Sequence, residues 1–340
     1  MSNKKTKRGI DDLFAEKFRN SPSPLLSLLS LYENEANRKD LFLGVRNRGI
    51  NLYYRGASLC EVRLRKGTLK CRIHRKYLKG SYDKEYPTRI PEEIYKEYEN
   101  IKRKIVELDT TKRRPERIAQ QELIYKNNSN PHSKWYCIDI EYSKGRKSKA
   151  EEKYGRFDII AITRRKDPQN GKHRVALIEL KHGSGAYGGA SGVAKHVDDF
   201  VNFRSHHVYE MHLRGEICDI LESFHKLLKD WPEGLKNLKE DDLAEAPEFY
   251  FITLDNNSKS KTSRGSTPRQ SMERYLFKNP KCGHPSTKNV EQGFDDQPPY
   301  GDITSEGNSN LYAKFLFSTD KVGEIHIKDI IEDESYVRGF

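Results

Sequence analysis

The 340-residue sequence lacks the patterns that mark several large classes of protein. No apolar run is long enough to span a membrane, and the basic start MSNKKTKRG lacks the apolar region of a secretory signal. The five cysteines are scattered and form no CxxC pair, so neither a disulfide framework nor a structural zinc site is expected. These absences favour a chain that works in the reducing cytoplasm, with no membrane partner.

Charge is abundant and unevenly distributed. A third of the residues are charged, the mean hydropathy is −0.90 and the net charge is +12. Residues 1–115 carry +13, residues 116–204 carry +6 and residues 205–340 carry −7. A basic surface attracts polyphosphates, although it also keeps a protein soluble. An asymmetry of this size favours nucleic acid as the partner.

The N-terminal third predicts helices followed by a β-meander. A helical pattern runs from residue 11 to residue 32 and is broken at SPSP. Residues 40–78 are then cut into four short strands by turn signals at Arg48-Gly49, Arg55-Gly56 and Lys66-Gly67. Basic residues alternate with apolar ones on these strands. Two interpretations stay open, an amphipathic sheet that covers a core and a platform that faces nucleic acid.

The stretch 155–182 predicts a buried hairpin that carries charges. Two apolar runs, FDIIAI and VALIEL, are joined by a polar turn containing Pro168, Asn170 and Gly171. Asp158 interrupts the first run, and Glu179 and Lys181 interrupt the second on one face of the strand. Charges in a buried strand are costly unless they are paired or bind a metal, so the hairpin predicts a functional site.

The segments around the hairpin supply further elements. Prolines open predicted helices at residues 91 and 115, and WYCIDIEYS, residues 135–143, predicts a strand. After the hairpin come a glycine-rich loop (HGSGAYGGASG), a helix (VAKHVDDFVNF) with Val193, Val197, Phe200 and Val201 on one side, and a longer helix over 209–229. Strands are predicted at 248–255 and 312–318, a helix at 267–277, and a long irregular segment at 279–310.

With Asp158 in RFDII and Glu179-Leu180-Lys181 in LIELK, 21 positions later, the chain resembles the PD-(D/E)XK nuclease superfamily. The resemblance covers about residues 115–255, where a helix and a strand precede the motif and a helix follows it. Phe157 stands where the pattern has proline. The resemblance implies a restriction-endonuclease-like fold and hydrolysis of phosphodiester bonds.

The chemistry of that reaction fits these residues. A divalent cation held by carboxylates activates water and stabilises charge on the phosphate, and Mg²⁺ prefers hard oxygen ligands. Asp158 and Glu179 are assigned as metal ligands, with the Leu180 carbonyl a third ligand by resemblance. Lys181 would orient the attacking water or stabilise the phosphate charge. The competing interpretation is a structural salt bridge from Lys181 to Asp158 or Glu179.

A fourth site residue is nominated from the neighbouring elements. The candidates are Glu141, Glu122 and Gln121, and Glu141 is preferred because a hairpin brings the end of the first strand beside the start of the second. A solvated residue at a strand end is the alternative for Glu141. Lys195 and His196 could contact a phosphate, although a solvent-facing position on an amphipathic helix is the favoured interpretation.

Together these observations predict an α/β protein with two domains. Residues 1–112 form a basic N-terminal module of helices and a β-meander, and residues 113–340 form a restriction-endonuclease-like mixed β-sheet flanked by helices, with a C-terminal extension. The predicted function is Mg²⁺-dependent cleavage of DNA, with Mn²⁺ as a substitute. The resemblance alone implies the setting, which is restriction, defence against foreign DNA or repair. An inactive nucleic-acid-binding protein of the same fold and a nuclease acting on RNA are the alternatives. A homodimer and a defence-system partner protein stay open as partners.

Overall fold

The computed structural model describes residues 8–112, 115–143, 156–182, 192–254, 303–305 and 308–317. The fold is mixed α/β, with a five-stranded antiparallel sheet and a six-stranded mixed sheet. The chain divides into two compact units. The first comprises residues 1–125 and 215–240, and the second comprises residues 126–214 and 241–340. No helix in the described ranges is long and apolar enough to cross a membrane.

The first unit combines short helices with the predicted meander. Its first helices are α1 (Asp12–Asn20), α2 (Leu28–Glu33) and α3 (Glu35–Arg38), and the long helix α4 (Pro91–Lys112) follows the sheet. The strands are β1 (Leu41–Arg46), β2 (Gly49–Tyr54), β3 (Ala57–Arg65), β4 (Thr68–Arg72) and the two-residue β5 (Thr88–Arg89). They pair in sequence order, as a meander does. The four predicted strands are confirmed, whereas β5 was not predicted because two residues carry no alternation to detect.

Two-residue turns fix the register of the meander. Arg55 and Gly56 have φ of 49° and 74°, and Lys66 and Gly67 have φ of 47° and 72°. Positive φ at both central residues is the geometry of a type I′ turn, which matches the twist of antiparallel strands and favours glycine at the second position. The Gly56 N–H also donates to the buried Gln121 side-chain oxygen at 2.6 Å. The turn is therefore anchored to α5 (Pro115–Ser129).

Alanine at Gly56 is expected to cost more stability than alanine at Gly67. A Cβ at Gly56 would lie 2.7 Å from the Arg117 Cβ and carbonyl oxygen, whereas a Cβ at Gly67 meets nothing within 4 Å. Both variants are expected to lose about 1 kcal/mol of unfolding free energy, because alanine is strained at positive φ. Gly56→Ala should lose about 1–3 kcal/mol more, because the added Cβ overpacks against Arg117. Urea unfolding of the two variants measures the difference. Equal losses would show that the α5 contact does not constrain this turn.

The second unit is built on the six-stranded sheet. Its strands are β6 (Trp135–Ser143), β7 (Arg156–Thr163), β8 (Val175–His182), β9 (Glu248–Leu254), β10 (Ile303–Ser305) and β11 (Asn308–Phe317). Their spatial order is β10-β11-β9-β8-β7-β6. The β6–β7 and β7–β8 pairs are antiparallel, as the hairpin prediction requires, while β9 lies parallel to both β8 and β11. Helix α6 (Val193–Ser205) follows β8 and is itself followed by a π-helical turn at Tyr209–Leu213. The next helix, α7 (Arg214–Leu227), belongs to the first unit from residue 215 onward.

An aromatic cluster holds α6 against the sheet. The Phe200 ring centroid lies 4.7 Å from that of Phe249 and 5.0 Å from that of Phe251, both on β9. Phe157 on β7 contacts Phe200 and Phe203 at 5.5 and 5.0 Å. All five rings are at most 2% exposed. Burying five such side chains fixes the phase of α6, because truncating one costs about 3–5 kcal/mol.

Two features of the chain differ from expectation. The division between the compact units falls at residue 125, inside α5, and not after residue 112, and the first unit also takes residues 215–240. Long-range contacts cause this: the Ser223 hydroxyl accepts a hydrogen bond from the Ile10 N–H at 3.2 Å. Within the predicted irregular segment 279–310, the described residues form β10 and the start of β11. The helix predicted at 267–277 lies outside the described residues.

Candidate active site

Strand register places three carboxylates at the same end of β6, β7 and β8. Ile159 pairs with Ile178, so the next residues outward are Asp158 and Glu179. On the other side of β7, Ile140 pairs with Ile159 and Tyr142 pairs with Phe157. Glu141 therefore occupies the position opposite Asp158. Three neighbouring strands thus each bring one acidic residue to this end of the sheet.

Asp158 is tied directly to the third strand. Its Oδ2 accepts a hydrogen bond from the Leu180 N–H at 2.9 Å. The side chain of Asp158 is therefore held beside the segment Glu179-Leu180-Lys181, and the residue is only 7% exposed. This contact fixes the orientation of the Asp158 carboxylate.

Glu179 and Lys181 form a buried ion pair. The Lys181 Nζ lies 2.6 Å from the Glu179 Oε1, and the two side chains are 5% and 3% exposed. The residues are two apart on β8 and so share a face, as the sequence predicts. Charges this deeply buried are tolerated only when they are paired, and each charge here stabilises the other.

His196 joins the same carboxylate from α6. Its Nε2 lies 2.9 Å from the Glu179 Oε1, and its side chain is 14% exposed. Burial, and then the positive charge of Lys181, lower the pKa of His196 to about 4. The ring is therefore neutral at pH 7, and a proton on Nε2 donates to Glu179. The position of His196 differs from the solvent-facing one that the sequence favoured.

The aromatic residues of α6 explain how His196 reaches the site. His196, Phe200 and Phe203 are spaced by four and three residues, which places them on one face of a helix. Asp199 is near them, 7% exposed, and accepts a hydrogen bond from Lys195. Its Oδ2 lies 3.9 Å from the His196 Nδ1. Asp199 was not nominated from the sequence, although its three-residue spacing from His196 was visible there.

The nominated fourth residues occupy different environments. Glu141 is a partly buried residue with φ of 54°, and its carboxylate pairs with Arg156 on β7. Gln121 is 2% exposed and its oxygen accepts from Gly56 in the first unit, so it serves the packing of the meander. Glu122 is partly buried on α5. Of the three, only Glu141 lies on a strand that carries the site, in keeping with the preference for it.

The donors at this end of the sheet suit a hard divalent cation. Among the described residues, no group of three or more His, Cys, Asp and Glu side chains forms a metal site. Mg²⁺ keeps several waters, however, and is commonly held by one or two carboxylates. Asp158, Glu179 and the Leu180 carbonyl offer oxygen donors of that kind. The glycine-rich loop, residues 183–191, lies outside the described residues.

Comparison with known protein families, with curated proteins and with solved structures finds no match for this chain. The residues at this end of the sheet are therefore the basis for assigning a function.

Proposed function

We propose that the second unit is a metal-dependent nuclease with a restriction-endonuclease-like fold, acting on phosphodiester bonds of DNA. The observation that carries the proposal is the burial of Asp158, Glu179 and Lys181 together at one end of β7 and β8. A buried ion pair is weak evidence for stability, since apolar residues of similar volume serve a core as well or better. The presence of this ion pair beside a second carboxylate is therefore better explained by chemistry than by folding.

The resident metal would be Mg²⁺, with Mn²⁺ as a substitute. Asp158, Glu179 and the Leu180 carbonyl would hold it, with Glu141 as a further acidic residue at the same end of the sheet. When bound, it would polarise a phosphoryl oxygen and lower the pKa of a water molecule.

The protein's own groups have distinct tasks in this proposal. The Leu180 N–H holds the Asp158 carboxylate in place. Lys181 carries a buried positive charge at the reacting end of β8, where it stabilises the negative charge that develops on the phosphate. Neutral His196 donates to Glu179, which fixes the orientation of that carboxylate. Both carboxylates, Asp158 and Glu179, are thus held in position before substrate binds.

A second candidate function is a binding protein of the same fold with an inactive site. The arrangement around Glu179 favours this alternative. Its Oε1 accepts from both Lys181 and His196, as in a structural ion pair whose groups are already satisfied. Such a protein would bind nucleic acid without cleaving it. The nuclease is preferred because Asp158 adds a second carboxylate that this ion pair does not need.

A panel of substrates tests the proposal. Purified protein is incubated with supercoiled plasmid, linear duplex, single-stranded DNA and RNA, each with Mg²⁺, Mn²⁺ or EDTA. Cleavage of DNA with either metal, and none with EDTA, is the expected result. Cleavage of RNA alone would support the RNA nuclease, and binding without cleavage of any substrate would support the inactive binding protein.

The first unit offers a surface suited to the proposed nucleic-acid partner. On β3 and β4, Arg63 pairs with Lys70, Glu61 with Arg72 and Arg65 with Thr68, so their side chains share a face. We call Arg63, Arg65, Lys70 and Arg72 the basic face. Glu61 neutralises part of it through Arg63 at 2.5 Å and Arg72 at 3.0 Å. Arg65 and Lys70 have no carboxylate partner within the described ranges, and their charge is available to phosphates.

Reversing the charge of Arg65 and Lys70 is expected to weaken DNA binding and its salt dependence. Each phosphate contact contributes about 0.9 to the slope of log affinity against log salt, so losing two contacts lowers that slope by about 2. Fluorescence anisotropy over a range of salt concentrations measures this for Arg65→Glu/Lys70→Glu. The control reverses Lys96 and Lys104 on α4, which pair with Glu92 and Glu107. An equal effect of both double variants would mean that net charge, and not the basic face, controls binding.

A further inference from the structure

A cavity of about 440 Å³ lies in the second unit at the end of the sheet away from Asp158. The start of β6, the end of β7 and the start of β8 border it. Thr163, the last residue of β7, lines the cavity and is five positions along the strand from Asp158. Strands rise about 3.3 Å per residue, so the cavity is roughly 17 Å from the proposed catalytic carboxylates. It is therefore a separate site.

The lining of this cavity is strongly basic. The charged lining residues are five cations and one carboxylate, namely Lys134, Arg164, Arg165, Lys166, Arg174 and Asp167. Two of the cations pair with carboxylates that do not line the cavity. Lys166 lies 2.6 Å from Asp242, and Arg174 forms a bidentate ion pair with Glu248, with distances of 2.5 and 2.7 Å. The Asp167 Oδ1 accepts from the backbone of its own turn, the Gln169 N–H, at 2.8 Å. A positive surplus is left at the cavity.

Arg164 and Arg165 supply positive charge without carboxylate partners among the described residues. Arg164 donates to the carbonyls of Asn127 and Asn128 at the end of α5, at 3.1 and 3.0 Å, and its guanidinium lies 4.7 Å from the Tyr136 ring centroid. Its Nε is buried without a hydrogen-bond partner. Burial lowers the pKa of Arg164, the expected effect of desolvating a cation. Arg165 is exposed at the rim of the cavity. An anion in the cavity would provide the missing counter-charge.

The walls of the cavity are partly nonpolar. Pro131 and Pro168 stand among the cations, and the aliphatic stems of the lysines and arginines add apolar surface. A volume of about 440 Å³ falls in the usual range for small-ligand sites, about 300–1,000 Å³. A ligand that matches this lining carries a phosphate for the arginines and a flat or apolar portion for the prolines. A nucleotide has both.

We propose that this cavity binds the phosphate of a nucleotide, either free or at the end of a nucleic-acid strand. Arg165 would contact the phosphate from the rim, and Arg164, held by α5 and Tyr136, would provide fixed positive charge below it. A guanidinium is suited to this task because it presents several donors in a rigid plane. This site is independent of the proposed nuclease chemistry, since it shares no residue with the catalytic carboxylates.

Calorimetric titration of the full chain in EDTA tests this proposal. The probes are inorganic phosphate, AMP, adenosine, and a tetranucleotide with either a 5′-phosphate or a 5′-hydroxyl. We expect AMP or the 5′-phosphorylated tetranucleotide to bind, AMP more tightly than adenosine and the phosphorylated strand more tightly than the 5′-hydroxyl strand. AMP binding would identify a free nucleotide as the ligand, whereas binding of the phosphorylated strand alone would identify a strand end. EDTA prevents metal-dependent cleavage, so the titration measures binding alone. Its result therefore does not depend on whether the protein is a nuclease.

Variants locate the binding. Arg165→Glu is expected to weaken it by about tenfold or more, the effect of losing one charge-assisted hydrogen bond. Lys172→Glu is the matched control, since Lys172 pairs with Glu245 nearby and does not line the cavity. Arg165 is exposed, so its replacement leaves the fold intact, which circular dichroism checks. The proposal is overturned if no phosphate-bearing probe binds at about 1 mM, if adenosine binds as well as AMP, or if Arg165→Glu and Lys172→Glu bind alike.

Discussion

Asp158→Asn is expected to abolish DNA cleavage while leaving DNA binding intact. The substitution keeps the size of the side chain and its acceptor for the Leu180 N–H. It removes the negative charge that would hold the metal. A metal that stabilises the transition state by about 4 kcal/mol contributes about 10³ in rate, so a loss of that order or more is predicted. Single-turnover cleavage of a plasmid, with enzyme in excess, measures it.

Two further variants make this test specific. Lys181→Met should reduce cleavage by about 10²–10³, the range for removing one preorganised group that stabilises developing charge. Glu245→Gln is the control, because this carboxylate is 85% exposed and its partner among the described residues is Lys172 on a surface turn. It should cleave like the original protein. Full activity of Asp158→Asn would exclude Asp158 as a metal ligand. If this variant lost DNA binding as well as cleavage, the substitution would have damaged the fold.

Glu179→Ala is expected to destabilise the second unit by about 3–5 kcal/mol in EDTA, because it leaves the buried Lys181 without its partner. The Lys181 and Glu179 side chains are 5% and 3% exposed, so little water can replace the lost contact. The Nε2–H donor of His196 loses its acceptor as well. Urea unfolding, followed by circular dichroism, measures the loss.

The matched comparison is Glu179→Leu/Lys181→Met, which replaces both charges with apolar side chains of similar volume. Its stability should lie within about 1 kcal/mol of the original protein, or exceed it, because the desolvation of two ions is avoided. This outcome would support a pair retained for chemistry. A double variant as unstable as Glu179→Ala would instead show that the ion pair is required for the fold.

Local signals in the sequence were sufficient for most of the secondary structure. The β1–β4 meander was predicted because each turn has a glycine after a basic residue, and these turns require positive φ. The hairpin was predicted because its strands are apolar and its linker is polar. Register then follows from pairing, which is why Asp158, Glu179 and the position of Glu141 were foreseen at the same end of the sheet.

The predictions that failed depend on contacts distant in sequence. The solvent-facing position favoured for His196 was wrong, although Val193 and Phe200 of the stripe predicted on α6 are buried as expected. The side chains of Val197 and Val201 lie outside the described ones. Phe200 and Phe203 face the β7 and β9 rings, which brings His196 to Glu179. The grouping of residues 215–240 with the first unit likewise results from pairing with residues near the N-terminus. The positive φ of Glu141 was not predicted, because no glycine at that position indicated a left-handed backbone.

We propose that the buried carboxylates on β7 and β8 hold a metal ion that is required for the cleavage of DNA. The most direct test is the single-turnover rate of plasmid cleavage as a function of free Mg²⁺. We expect no cleavage in EDTA, a rate that rises to a plateau with Mg²⁺, and full recovery when Mg²⁺ is added back after EDTA. Cleavage at an unchanged rate in EDTA, or none at any concentration of Mg²⁺ or Mn²⁺, would contradict it.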